Sequence, residues 1–302
     1  MIRWPALPFA TTLPVLGIAV RFESNSEHVM RLVNDRFGGW LNALGNGTLV
    51  TESVAVRIAV RGDASAAHGA NMIEHLDLGD GRLLVESADS VGLADPLRRE
   101  SMAHVSPALV EDPRFPLEFL DAITFSLLAH FDRHPIHAAG LLHEERAILL
   151  AGGSGMGKST LAHMAHRMGI AVLSDDHVWV QQDPTMRVWG GPPRARLITD
   201  GAEKVSVPLE QPGTQVWMAS SGVTLCVLAR GATASLARVD AHVLERELHE
   251  QLAPGFDRFP QRHRDVARLL SAHGGWRLTL TSRPADALNL LHAVVENATN
   301  AG

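Results

Sequence analysis

Apolar positions recur along this chain in two rhythms, one of strand length and one of helical spacing. PVLGIAVRFE (14–23) reads as a strand. SNSEHVMRLVNDRFG then sets Val29, Leu32 and Val33 on one helical face, behind a capping Ser or Asn and ahead of a closing Gly. TLVTESVAVRIAVRG and GRLLVESAD alternate as strands between Gly- and Asp-rich turns. After VEDPRFP, the segment LEFLDAITFSLLAHFD predicts an amphipathic helix. These signals predict a small N-terminal α/β domain over 1–112 and a second domain over 113–302.

From residue 137 onward the order becomes strand, loop, helix, strand. RAILLA is a short apolar run ending at glycines, and KSTLAHMAHRM places Leu161, Met164, Ala165 and Met168 on one helical face before Gly169. IAVLSDD predicts a buried strand, which would set its closing Asp pair level with the loop if it lies beside RAILLA. HVWVQQDPTMRVW predicts a hairpin turning at Asp183-Pro184. GGPPRARLITDGAEKVSVPLE reads as an irregular basic connection. VTLCVLAR is a strand, helices are expected near 241–252 and 262–273, and the chain closes with the strand WRLTLTS and the helix PADALNLLHAVVE. There are no internal repeats and no low-complexity tracts. An α/β fold follows.

Composition narrows the function classes. Of 302 residues, 46% are apolar and 20% charged, with a formal net charge of −6, which is not the footprint of a non-specific nucleic-acid binder. No apolar run approaches the roughly 20 residues of a membrane helix. MIRWPALPFATTLPVLGIAV carries one early Arg and is interrupted by prolines, so it reads as the start of the fold rather than a signal peptide. The single cysteine, Cys226, sits in an apolar run and reads as a buried core thiol, which fits a reducing, cytoplasmic setting. Only Lys158 and Lys204 are lysines, against twenty-five arginines. A chain that uses Arg for generic cations points to its lysines as places where a compact ammonium is needed.

The chemistry concentrates around Lys158. Gly152, Gly153, Ser154, Gly155, Met156, Gly157, Lys158 and Ser159 fit G-x-x-x-x-G-K-[ST] after a predicted strand and before a predicted helix, with Thr160 following. The glycines turn backbone N–H groups into one concavity, where the helix N-terminus adds positive potential. Lys158 would bridge the β- and γ-phosphates of ATP, and Ser159 would hold Mg²⁺. Asp175 and Asp176 close the next strand. One carboxylate can ligate Mg²⁺, for which Asp175 is the candidate beside Ser159, and either can accept a proton from an attacking hydroxyl. A doubled Asp leans toward transfer to an acceptor rather than to water. His130, His134, His137 and His143 crowd the approach, but Pro135 breaks any helix among them and no Cys or Glu completes a zinc pattern. His137 is placed to reach the acidic pair as a polar partner or proton relay. Arg194, Arg196 and Lys204 are candidate cations for the transferring phosphate.

The segment from His137 to Asp176 resembles the catalytic core of the HPr kinase/phosphorylase family, bacterial serine kinases with a fold related to phosphoenolpyruvate carboxykinase. Fifteen residues separate His137 from Gly152 and seventeen separate Lys158 from Asp175, as in that core. The run PPRARL…KVSVPL looks like shorter relatives, some of which accompany ribosomal-peptide (lasso-type) gene clusters and phosphorylate a precursor peptide. The resemblance implies a P-loop-containing mixed sheet, ATP and Mg²⁺ as cofactors, and a serine-type hydroxyl of a peptide or small protein as acceptor. By the same resemblance Lys158 and Ser159 match the nucleotide and Mg²⁺ positions, Asp175 and Asp176 the metal/base pair, and His137 the family's His. The chain lacks the E-[IV]-R-G-x-G signature that accompanies phosphorylase activity and the oligomer, so a homo-oligomer is allowed rather than implied. Two other readings stand beside this one, a small-molecule kinase and a nucleotide-sensing module without turnover. Neither nucleic acid nor membrane is an expected partner.

Overall fold

A computed structural model describes residues 4–43, 53–61, 72–191, 194–198, 204–208, 218–219, 222–249 and 260–299. Contacts divide the chain into two compact units, Met1–Arg133 and His134–Gly302. Among the described residues no helix is long and apolar enough to cross a membrane.

The first unit contains β1 (Phe9–Val15), β2 (Ile18–Ser24), α1 (Glu27–Phe37), α2 (Gly39–Ala43), β3 (Ser53–Val60), β4 (Glu74–Asp77), β5 (Leu83–Ser87), β6 (Ser90–Asp95), β7 (Glu100–Val105), α3 (Pro107–Val110), a π-helical segment at Phe115–Leu120, and α4 (Asp121–Ala129). Its strands form one sheet in the order β1-β2-β3-β7-β6-β5-β4. The run expected as one strand at 14–23 instead holds the end of β1, a tight turn and most of β2. β1 and β2 pair from Phe9↔Ser24 to Val15↔Ile18 around Leu16 and Gly17, which have φ of 50° and 76°. Two left-handed residues give the turn whose twist matches that of paired strands, and Leu at the first of them hides the turn from a reading based on Asn and Gly. In α1, capped by Ser26, the buried face is Val29, Met30, Val33 and Phe37, with Leu32 only half-buried.

The helix at 121–129 belongs to this first unit, so the division falls at Arg133/His134 and not near 112. Beyond Asp121, α4 is buried on most of its surface and not on one stripe only: Ile123, Thr124, Phe125, Leu127, Leu128 and Ala129 are all buried. Ser101 Oγ donates to Ile123 O at 2.7 Å, and Phe125 meets Phe37 edge-on at 5.9 Å. Arg36 on α1 forks onto Asp121 at 2.8 and 2.7 Å. Both side chains are about five-sixths buried, 17% and 16% exposed. Asp121→Ala would leave the Arg36 guanidinium unpaired in an apolar setting. We expect a loss of about 3 kcal/mol in unfolding free energy, read by urea denaturation, with secondary structure retained.

The second unit contains β8 (His134–Ile136), β9 (Ala138–His143), β10 (Arg146–Ala151), α5 (Lys158–Arg167), β11 (Ala171–Ser174), β12 (Val178–Gln181), β13 (Arg187–Trp189), β14 (Arg194–Ile198), β15 (Lys204–Pro208), β16 (Met218–Ala219), β17 (Gly222–Arg230), β18 (Ser235–Val239), α6 (Ala241–His249), α7 (Pro260–Ser271), β19 (Gly275–Leu280) and α8 (Leu288–Thr299). The main sheet runs β11-β9-β10-β17-β19-β18, and a smaller one runs β16-β13-β12-β8. β10, β17 and β19 are parallel neighbours, while β9, β11 and β18 join antiparallel. β10 is buried on both faces, as its unbroken apolar run requires. Ile148 and Leu150 pack with Leu161, Ala162 and Ala165 of α5 and Leu291, Val294 and Val295 of α8. Ala147, Leu149 and Ala151 face Leu244, Leu248, Val266 and Leu270 of α6 and α7, together with Val178 and Val188 of the smaller sheet.

The condition that β11 lies beside β10 is not met, because β9 runs between them and pairs antiparallel with both. Two expectations differ from the structure. Residues 194–208 are not wholly irregular: β14 and β15 form an antiparallel ladder from Arg194↔Pro208 to Ile198↔Lys204. The buried stripe of α5 is Lys158, Leu161, Ala162 and Ala165, while Met168 is 44% exposed and Met164 half-buried. That stripe is the i, i+3, i+4, i+7 face, and it puts the lysine at its head in line with the core.

Candidate functional site

The phosphate-loop motif occupies the C-terminal end of β10, where a loop passes directly into α5. Ligands of parallel α/β sheets bind at that edge. Gly155 and Gly157 have φ of 79° and 104°, a left-handed backbone that side chains with Cβ avoid. Gly157 is the residue from which α5 starts, and its carbonyl accepts from Leu161 N at 2.9 Å. The N–H groups of the helix's first turn, which have no carbonyl partner within the helix, therefore lie on the side of the loop. Lys158 is 6% exposed, and its ammonium donates to Gly152 O at 2.6 Å and Gly153 O at 3.2 Å. The lysine is thus held over the loop by two of the loop's own carbonyls.

Gly152, Gly153, Ser154, Gly155, Met156, Gly157, Lys158, Ser159 and Thr160 all belong to this one turn of chain. Ser159 Oγ lies 3.4 Å from the carbonyl oxygen of Asp175, which brings the end of β11 to the start of α5 although β9 separates β11 from β10. The acidic pair thereby reaches the loop by way of the helix rather than by strand adjacency. Asp175 is 7% exposed. Asp176 is more accessible, at 25% of its side chain, and each of its oxygens faces an imidazole. Oδ1 is 3.2 Å from His137 Nε2, and Oδ2 is 3.0 Å from His177 Nδ1.

Strand register explains why these residues meet. Ser174 pairs with Gly140 in the main sheet, and Val178 pairs with Ile136 in the smaller sheet. The chain thus crosses between the two sheets twice, at 137 and at 175–177, and both registers continue into one another. Extended through the gap, they set His177 opposite His137. The two rings accordingly stack, with centroids 5.0 Å apart and planes 23° apart.

The other sequence candidates fall elsewhere. Arg194, Arg196 and Lys204 lie at ladder positions of β14 and β15, and the backbone of β14 runs alongside α5, but their side chains lie outside the described residues. His130 Nε2 is 2.9 Å from Gly81 O in the first unit. His134 is buried against His263, at 3.2 Å. Among the described residues no group of three or more His, Cys, Asp or Glu is arranged to hold a metal. The oxygen set near Ser159 is another matter. The Ser159 hydroxyl meets the backbone carbonyl of Asp175, and a hydroxyl and a carboxylate are the hard oxygen donors that Mg²⁺ takes, so the chemistry of Ser159 and Asp175 suits that ion.

No protein-family model matches this chain, and no curated protein matches it. Among solved structures, the Hpr(Ser) kinase/phosphatase from Coxiella burnetii overlaps 55% of this chain and 97% of its own, at 13% identity and a TM-score of 0.34. A likeness of that grade decides nothing about activity.

Two residues here escape a reading of the sequence. Arg230, at the C-terminal end of β17, donates to Gly155 O at 3.2 Å and to Thr281 O at 2.9 Å, tying the loop to the neighbouring strand ends. An Arg ending a parallel strand next to the loop strand was the available signal. His177 is the second, and its signal was its place directly after the Asp pair. Cys226 is fully buried between β10 and β19, and burial pushes its thiol up to about 12, which removes it as a nucleophile at neutral pH.

Proposed function

We propose that this protein is an ATP- and Mg²⁺-dependent kinase that transfers the γ-phosphoryl group to a serine-type hydroxyl of a peptide or small protein. The observation that carries the reading is the convergence of Lys158, Ser159 and the Asp175–Asp176 turn at one end of the main sheet. A phosphate cradle, a hard-cation site and a reachable carboxylate are the parts that transfer to a hydroxyl needs. Mg²⁺, held by Ser159 and Asp175, would screen the charge of the phosphate oxygens.

In the step itself the acceptor hydroxyl attacks the γ-phosphorus. Its proton passes to Asp176, the new O–P bond forms, and the bond to the β-phosphate oxygen breaks to release ADP. Lys158 and the first-turn amides of α5 bind charge that spreads over the γ-oxygens as that bond loosens. Asp176 suits the base because it is the more exposed carboxylate, while Asp175 is nearly buried beside Ser159. A carboxylate open on one side favours an acceptor presented on a chain, so a precursor peptide is a fitting substrate. Arg194 and Arg196, on β14 beside α5, and Lys204, on its partner strand β15, are assigned to phosphate or acceptor binding. The N-terminal unit is assigned to recruiting the acceptor.

The test uses γ-labelled ATP and Mg²⁺ with an extract of the source cells separated into protein, peptide and metabolite fractions. Label in protein or peptide supports the reading. Label confined to metabolites assigns the chain to small-molecule kinases, and free phosphate alone means that water is the acceptor.

A further inference from the structure

We infer that His177 is a positioning residue for Asp176, acting with His137 as the second half of a clamp on the carboxylate. The inference rests on the kinase reading only in so far as Asp176 is its base. The clamp is a matter of geometry. An ionised carboxylate only accepts hydrogen bonds, so the clamp requires a proton on each of the two facing nitrogens, His137 Nε2 at 3.2 Å and His177 Nδ1 at 3.0 Å. Each oxygen is thus held by a separate donor. Two donors on two oxygens fix rotation about the Cβ–Cγ bond, which a single donor on one oxygen leaves freer.

The histidines are not independent of one another. The register through the two sheet crossings sets them opposite each other, and their rings stack at 5.0 Å. His137 and His177 are 23% and 21% exposed and Asp176 25%, so the clamp covers both sides of a carboxylate whose remaining face stays open. A carboxylate oxygen has two lone pairs, so accepting from an imidazole does not by itself prevent it from taking the proton of an incoming hydroxyl. His177 uses Nδ1, the nitrogen nearest the backbone, whereas His137 uses Nε2 at the far end of its ring. This difference makes the role testable by amide substitution. The amide nitrogen of Asn overlays Nδ1 of His, while that of Gln reaches the position of Nε2.

The experiment measures kcat and KM for ATP in His177→Ala, His177→Asn and His177→Gln, using the labelled acceptor fraction. Loss of one donor lets the base swing, and a misplacement near 1 Å costs about a hundredfold in rate. His177→Ala is expected to lose between tenfold and about a hundredfold in kcat with KM for ATP unchanged, and His177→Asn to recover most of it. His177→Gln is expected to recover less than His177→Asn. Unchanged kcat in His177→Ala, or equal rescue by Gln and Asn, overturns the assignment. Should His177→Ala melt below the assay temperature, the Asn and Gln pair carries the comparison.

A second readout does not depend on turnover. Side-chain ¹⁵N shifts of the wild-type protein are expected to show His177 as the Nδ1–H tautomer, and Asp176→Asn to change that state. An Nε2–H tautomer in the wild type overturns the clamp. The Nδ1–H tautomer in a protein that transfers no phosphate keeps the clamp and removes the kinase reading.

Discussion

Lys158→Ala is expected to lower the rate of phosphoryl transfer by about three orders of magnitude, or about 4 kcal/mol of transition-state stabilisation. Charge on the γ-oxygens grows as the bond to the leaving oxygen loosens, so a fixed ammonium contributes more in the transition state than in the bound nucleotide. Single-turnover transfer with labelled ATP measures the rate, and calorimetric titration with ATP measures the affinity. ATP affinity is expected to fall far less than the rate, because the first-turn amides of α5 remain. Lys158→Arg is expected to rescue little. Nζ sits 2.6 Å from Gly152 O and 3.2 Å from Gly153 O, a cradle sized for a compact ammonium that a planar fork cannot enter without displacing the loop. A chain with twenty-five arginines and a lysine at this position is consistent with that constraint. Transfer within fivefold of wild type in Lys158→Ala would mean that the loop is not the clamp on the γ-phosphate.

The parts of the fold that could be read from the sequence are those whose cause is local. The loop from Gly152 to Ser159 is written in glycines, because left-handed backbone at 155 and 157 permits little else. The helix after it, the hairpin around Asp183-Pro184 and the buried strands at 146–151 and 222–230 follow from short-range pattern in the same way. Long-range order was not legible. Nothing local tells that β9 lies between β10 and β11, since an apolar strand pairs as well with one neighbour as with another. Nor does α4 advertise its unit, because a helix buried on most of its surface fits any core, and what ties it to the first unit is partly the Arg36–Asp121 fork across 85 residues. At the site, the loop and the acidic pair were legible as separate motifs. Their meeting through Ser159 and Asp175 depends on a helix-to-strand approach that spacing alone does not encode. His177 was hidden for the same reason, because its relation to His137 appears only once two sheets share a register.

Asp176→Asn should reduce kcat by about three orders of magnitude while ATP affinity stays within about threefold. Asn preserves size and can still meet one imidazole, but it cannot take a proton from the acceptor hydroxyl, so the loss isolates basicity from shape. The clamp sharpens the argument. With His137 and His177 each holding one oxygen, the wild-type carboxylate has its orientation fixed before the acceptor arrives, and an amide would have to turn its NH₂ toward one of two N–H donors. That mismatch adds disorder to the lost charge. Asp175→Asn makes the contrast. Nearly buried and beside Ser159, Asp175 is assigned to the cation, so its amide should raise the Mg²⁺ concentration for half-maximal rate by about tenfold, with transfer recovered at saturation. Titrating Mg²⁺ in both variants separates the two roles. If Asp175→Asn is dead at every Mg²⁺ concentration while Asp176→Asn merely needs more metal, the base and the ligand exchange places. If both retain wild-type turnover, neither carboxylate accepts the acceptor's proton, and transfer proceeds by positioning and charge alone.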